Sequence, residues 1–289
     1  MLTKQDLIND LIKMGIEETN TVFIHSSYKH IAGLEGVKGG AETVAQAFID
    51  YISPKGLMVF PAMSWKLGWL VNDAGDYIPP YEGPREGFYP YGTAYNVRTT
   101  PTSDIGIIPE VARQLPGAVR SLCPTSSVCA FGADAKEFCA GHEYAPSPLS
   151  FKSPWGKLYE RKAKIIFLGT TMCCNTFLHA VEDYADLPGL FTPYLWEYTV
   201  EDYDGNVFPV SFHRHEPGHN HYYIKIQQDL IDRGIARVVK FGHAECQLVD
   251  AAAEADYVLE RLKENPALFT HEYNKKYPVW PKSNGDLIL

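Results

Sequence analysis

The 289-residue chain has no run of five basic residues, no CxxC pair and no low-complexity tract. Lys and Arg number 26 against 35 Asp and Glu, for a net charge of −9 and a pI near 5.6. Nucleic-acid binders carry a basic footprint, so that class is excluded as an expectation. No apolar run approaches the ~20 residues that cross a bilayer. The first ten residues include Asp6 and Asp10 and no apolar core, unlike a secretory signal, which predicts a cytoplasmic protein. Cysteines fall at 123, 129, 139, 173, 174 and 246, a spacing that suits free thiols in a reducing compartment rather than a disulfide framework.

What is present is an ordinary globular composition, 45% hydrophobic and 21% charged. A chain of this length buries enough surface to fold without disulfides or metal. Thr3 to Met14 reads as a helix capped by Thr3, with Leu7, Leu11 and Ile12 on one face. Thr21–Ile24 follows as a buried strand, then a helix over about 41–51 and a second buried strand over 57–61. Further helices are predicted over 104–115, 133–141, 175–184, 222–233 and 250–263, with Asn175 as the cap of the third of these. Strands are predicted over 127–131 and 164–169, two short ones over 236–249, and a hairpin over 193–213 turning at Asp204-Gly205. The alternation predicts an α/β fold, three layers with a central mostly parallel or mixed sheet, in one domain over 1–289. Residues 64–101, rich in Trp, Tyr, Gly and Pro, read as an irregular loop region that could pack on a sheet edge or receive a ligand.

The run 164–169 is the clearest strand, and sites in α/β sheets gather where strands end and helices begin. Beyond it His179 sits on a helix with Glu182 three and Asp183 four residues on, which places imidazole and carboxylate on one face. Such a histidine can accept a proton at neutral pH, although a buried structural histidine has the same spacing. Cys173 and Cys174 at the helix start could supply a nucleophile, but inert packing is the preferred reading. Four histidines fall within His213-Arg214-His215-Glu216-Pro217-Gly218-His219-Asn220-His221. HxHxxxHxH is compatible with zinc and therefore with a metal-dependent hydrolase; a polar active-site loop is the preferred alternative, with no metal.

Several segments in order resemble the aminoglycoside 3-N-acetyltransferase family. They are His25-Ser26-Ser27 with Gly39-Gly40-Ala41-Glu42-Thr43-Val44, Thr99-Thr100-Pro101-Thr102-Ser103 with Gly106, Arg120-Ser121-Leu122-Cys123-Pro124-Thr125, and Phe151 to Leu158. Leu168-Gly169 followed by Asn175 to Glu182 completes the set, and the surroundings of Gly242 to Cys246 are similar too. The resemblance implies an acyltransferase that moves an acetyl group from acetyl-CoA, as co-substrate, directly to a small-molecule amine of an aminoglycoside or other amino sugar. By motif His179 is the general base. Ser26, Ser27, Tyr28, Lys29, Thr100, Ser103 and Gly106 would hold CoA, the helix entered near Gly106 supplying an anion site. Glu216 would be a second catalytic group reaching His179 across the cleft, and Glu182, His213 and His215 would contact substrate, with Glu182 an alternative partner for His179. A non-catalytic CoA-binding relative is the further alternative. Three departures stand out. The family's His-Pro-Thr-His is Cys123-Pro124-Thr125-Ser126 here, an aspartate six residues before the general base is Cys173, and the histidine-rich 213–221 segment is added. Antibiotic-modifying members bind a polycation with acidic groups, so the changed aspartate leaves the acceptor open.

Overall fold

The computed structural model describes residues 1–67, 70–71, 77–78, 93–215 and 220–276. In chain order the first elements are α1 Lys4–Lys13, β1 Thr21–Ser26, α2 Tyr28–Ala32, α3 Gly40–Ile52 and β2 Leu57–Pro61. The short β3 Leu70–Val71, β4 Tyr77–Ile78 and β5 Thr93–Asn96 follow, then α4 Ile107–Ala112, β6 Val119–Arg120, β7 Val128–Phe131, α5 Ala135–Cys139 and α6 Pro154–Glu160. The remainder is β8 Lys164–Leu168, α7 Phe177–Tyr184, β9 Phe191–Glu201, β10 Val207–His215, α8 Gln227–Asp232, β11 Ala236–Phe241, β12 Ala244–Asp250, α9 Ala251–Glu264 and α10 His271–Lys276.

Seven strands form one mixed sheet in the order β11-β12-β8-β1-β2-β7-β6. Its centre, β8-β1-β2, is parallel, and antiparallel strands flank it on both sides. The parallel strands are apolar at nearly every position because both faces are covered. Alternation along each strand assigns the faces. Phe23, Val59, Ile165 and Phe167 enter one core with α6, α7 and α9, while Val22, Ile24, Met58, Phe60, Ile166 and Leu168 enter another with α1 and α3. The three-layer α/β expectation therefore holds, the sheet being mixed. A second sheet, β10-β9-β5, builds its own core from Tyr95, Trp196, Tyr198, Val200 and Phe212. It is tied to the large sheet by the Tyr95 hydroxyl donating to Ser121 O at 2.9 Å and by the Arg120 amide donating to the Tyr203 hydroxyl at 2.6 Å.

Three local expectations change. Ile12 is 53% exposed, so the buried stripe of α1 consists of Leu7 and Leu11. The helix expected over 104–115 spans only 107–112, because Asp104 and Gly106 take φ of 50° and 90°, outside the helical range. The Thr102 amide and hydroxyl both donate to Glu110 instead of capping that helix, each at 2.8 Å. The helix bearing His179 begins at Phe177, and Asn175 makes no cap bond. Of the aromatic segment 64–101, residues 68–69, 72–76 and 79–92 lie outside the described residues. No helix among the described residues is long and apolar enough to cross a membrane.

Candidate active site

The chain leaves β1 for β2 on one side and later places β8 on the other. The crevice beyond the carboxyl ends of β1 and β8 is thus a topological switch point, where ligands bind in open α/β sheets. Its walls are the turn after β1, residues 26–30, and the turn after β8, residues 169–176. His30 Nδ1 lies 2.6 Å from Gly169 O across it, and the Ser27 amide donates to Leu168 O at 2.8 Å. Gly169 has a φ of +64°, and a Cβ there would lie 2.5 Å from the His30 Cβ, so the turn requires glycine.

His25, at the end of β1, is buried beside Phe167 and accepts the Thr176 amide at Nε2, 3.3 Å away. Burial pushes its pKa down to about 3, so it is a neutral acceptor holding the start of α7. One turn into α7, His179 presents Nδ1 to two partners, the Tyr223 hydroxyl at 2.7 Å and Glu182 Oε2 at 3.3 Å. The Tyr223 hydroxyl in turn donates to Glu182 Oε2. Burial and the adjacent carboxylate raise the Tyr223 pKa well above its usual value, so the phenol keeps its proton. Since that proton goes to Glu182, Nδ1 of neutral His179 must carry the other one and Nε2 the lone pair. The cluster thereby makes Nε2 the acceptor nitrogen of the neutral imidazole. The Glu182 side chain is only 1% exposed against 18% for His179.

His215 stacks on Phe191 with centroids 4.7 Å apart, and its ring centroid lies 5.4 Å from that of His179. Its Nε2 is 3.8 Å from Asp183 Oδ2, which also accepts the Ser147 hydroxyl. Burial raises the Asp183 pKa. A register shift in β10 between His213 and His215 redirects the strand at this point, and it is His215 that the structure brings to the cluster. Glu216 and His219 lie outside the described residues, as does the side chain of His221. Among the described residues no group of three His, Cys, Asp or Glu could hold a metal ion. Cys174 is exposed and contacts the Thr170 hydroxyl at 3.1 Å, while burial pushes the Cys173 thiol up, away from nucleophilic activation.

The residues expected at CoA fall on the loops around the same crevice. Ser26 Oγ is buried without a hydrogen-bond partner, and Gly106 comes so near that a Cβ on it would lie 3.3 Å from Ser26 O. Ser27 and Tyr28 are half-buried and Lys29 is exposed. Thr100 and Ser103 differ: the Thr100 hydroxyl accepts the Asn96 amide at 2.9 Å and Ser103 Oγ accepts the Lys66 amide at 3.2 Å. Both hydroxyls thus help to shape the loop. Buried Arg120 fixes that loop further, its guanidinium donating to Thr100 O, Ala62 O, Ser64 Oγ and Ser127 Oγ. The anion site expected at α4 reduces to a six-residue helix.

Tyr223 escaped the sequence. It lies 44 residues beyond His179, in a 3₁₀ segment spanning Asn220–Ile226 within the stretch read as one helix, and nothing in its local pattern marks it.

An imidazole, a buried carboxylate and a phenol gather beyond the carboxyl end of β8 on a three-layer scaffold. The pattern that defines the aminoglycoside 3-N-acetyltransferase family matches residues 23–263, and the chain belongs to that family, which makes it an acyltransferase by class. It is 33% identical over 187 residues to the prophage-derived aminoglycoside N(3')-acetyltransferase-like protein YokD of Bacillus subtilis (strain 168). That match covers 62% of this chain and 64% of YokD, so it spans slightly less than two thirds of either. Aminoglycoside N(3)-acetyltransferase VII of Streptomyces paromomycinus is 28% identical over 91% of this chain and 92% of its own. The solved structure of AAC-IIIb with CoASH superposes with a TM-score of 0.74 at 26% identity, over 91% of this chain and 96% of that one.

Proposed function

We propose that the chain transfers the acetyl group of acetyl-CoA to a primary amine of an aminoglycoside or related amino sugar, with His179 as general base. The observation that carries this is the His179–Glu182–Tyr223 cluster, which engages Nδ1 and leaves Nε2 with the lone pair. The relative AAC-IIIb, solved with CoASH, supports the choice of acyl donor. The orphaned Ser26 hydroxyl and the cradle at Gly106 fit a polar, extended ligand on that side.

In this scheme the amine nitrogen attacks the thioester carbonyl carbon, a C–N bond forms, and the proton of that nitrogen passes to His179 Nε2. The C–S bond then breaks, and CoA leaves as the thiol after taking that proton back. Glu182 stabilises the imidazolium that exists between the two transfers, and Tyr223 holds both groups in register. General-base catalysis of this kind contributes about 10²- to 10⁴-fold. In this reading His215, whose ring centroid lies 5.4 Å from that of His179, contacts the acceptor together with Asp183.

The test is thiol release from acetyl-CoA with a panel of aminoglycosides and amino sugars. Amine-dependent release by the wild type, lost in His179→Ala while acetyl-CoA binding persists, is the expected result. Near-normal turnover in His179→Ala removes the histidine from the mechanism, and no release with any amine removes the transferase reading.

A further inference from the structure

Asn175 and Glu254 meet between the turn that opens α7 and the first turn of α9. Asn175 Nδ2 donates to Glu254 Oε1 at 2.8 Å, and both residues are fully buried. That bond leaves two buried oxygens without a hydrogen-bond partner, Asn175 Oδ1 and Glu254 Oε2. An ionised carboxylate has only acceptors and cannot answer an amide oxygen. A carboxylic acid has one O–H, which is the donor this pair lacks.

We propose that Glu254 is a neutral acid whose hydroxyl closes a two-bond ring with the Asn175 amide, and that this ring is a positioning element for His179. Charge balance favours the neutral form. Asp250, one turn back on α9, carries the same sign, and the Lys164 ammonium is bound to Asp250 at 2.8 Å. His25, which holds the neighbouring Thr176 amide, is neutral. Burial first, then Asp250, raise the Glu254 pKa to about 8, against the lowering effect of the Asn175 bond.

The path from the ring to His179 is short. Asn175 O accepts the Leu178 amide at 3.2 Å, and Thr176 O accepts the His179 amide at 3.2 Å. The side chain of Asn175 is thus pinned to α9 while its backbone opens the helix that carries the imidazole. Anchoring by two bonds fixes the direction of that helix start as well as its distance from α9. An acid–amide ring supplies this without placing a second negative charge near Glu182.

Infrared difference spectroscopy at pH 7 tests the ring directly, independently of the acetyl-transfer reading on which only the kinetic part rests. The expected result is a protonated-carboxyl carbonyl band in the wild type that disappears in Glu254→Gln. A glutamine can keep both bonds, its amide N–H replacing the acid O–H, so transfer by Glu254→Gln stays within about twofold of wild type. Glu254→Leu strands the Asn175 amide, and kcat falls about fivefold or more with the KM for acetyl-CoA unchanged. Absence of the band overturns the ring, leaving an ionised carboxylate or a water between the two oxygens. A Glu254→Gln variant as impaired in kcat as Glu254→Leu overturns the positioning role in favour of a functional charge. If Glu254→Leu fails to fold, a kcat of Glu254→Gln about fivefold or more below wild type overturns the positioning role by itself. Wild type with the band but without turnover on any amine counts against the acetyl-transfer reading and leaves the ring standing.

Discussion

The Tyr223 hydroxyl sits 2.7 Å from His179 Nδ1 while giving its own proton to Glu182, so one phenol fixes both the tautomer of the imidazole and the orientation of the carboxylate beside it. Removing it leaves the His179–Glu182 contact at 3.3 Å, long for a charge-assisted bond. Tyr223→Phe is expected to lower kcat about 10-fold, the worth of one such hydrogen bond, with acetyl-CoA affinity unchanged. Steady-state kinetics with a fixed acceptor check this; an unchanged kcat would mean that Glu182 alone orients the imidazole.

Glu182 has the larger expected effect. Glu182→Gln keeps the shape but removes the charge that balances an imidazolium. Hydrogen bonds to charged groups contribute about 1.5–3 kcal/mol, so kcat should fall about 10- to 100-fold. Single-turnover measurements with saturating acetyl-CoA isolate that loss from binding. A variant that instead raises only the acceptor KM would return Glu182 to the substrate-contacting role first expected of it.

His215 should affect the acceptor and not the acyl donor. Its ring is held by Phe191 and faces both His179 and Asp183. Aromatic contacts of this kind contribute about 0.5–1.5 kcal/mol, so His215→Ala should raise the acceptor KM about 3- to 10-fold. Calorimetric titration with acetyl-CoA should give the wild-type affinity.

How far the sequence displays this site depends on where each signal is stored. β1, β2 and β8 are legible because a strand covered on both faces must be apolar throughout, a property of the strand alone. His179 and Glu182 are legible because their contact is local, three residues apart on one helix. Asn175 misleads, since asparagine before a helix suits a cap, while here its partner lies 79 residues away on α9. Tyr223 is invisible for the same reason, its role being conferred by a fold that carries it back to α7. The bond by which Ser103 braces the Lys66 backbone is not legible either, since that amide lies 37 residues away.

Gly156 offers a stability test away from the imidazole. A Cβ at this position of α6 would lie 2.0 Å from the Phe151 carbonyl oxygen, which is backbone and has little freedom to move. Gly156→Ala gains helix propensity, at most about 1 kcal/mol, but must displace the Phe151 segment. The overpacking cost of about 1–3 kcal/mol should prevail. Urea denaturation should show a lower midpoint at an unchanged slope.

The buried ionisable groups predict where the fold is most stable. His25 and His142 have pKa values lowered by burial to about 3 and about 4, against 6.5 in an unfolded chain. Below pH 6.5 the unfolded chain binds the protons that the native histidines refuse, so stability falls as pH drops through that window. Glu254 has the opposite sign. Its pKa is raised from 4.5 to about 8, so the native state holds a proton that the unfolded chain releases, and stability falls as pH rises from 4.5 to 8. Between pH 4.5 and 6.5 two histidines oppose one glutamate and the histidines prevail, whereas between 6.5 and 8 the glutamate acts alone among the three. Their combined contribution therefore peaks near pH 6.5. Thermal unfolding across pH 4 to 9 checks this by difference: His142→Gln should flatten the acid limb alone, whereas Glu254→Gln should remove the fall between pH 6.5 and 8 and steepen the rise between pH 4.5 and 6.5. A Glu254→Gln curve parallel to wild type above pH 6.5 would mean that the carboxyl is already ionised in the folded protein.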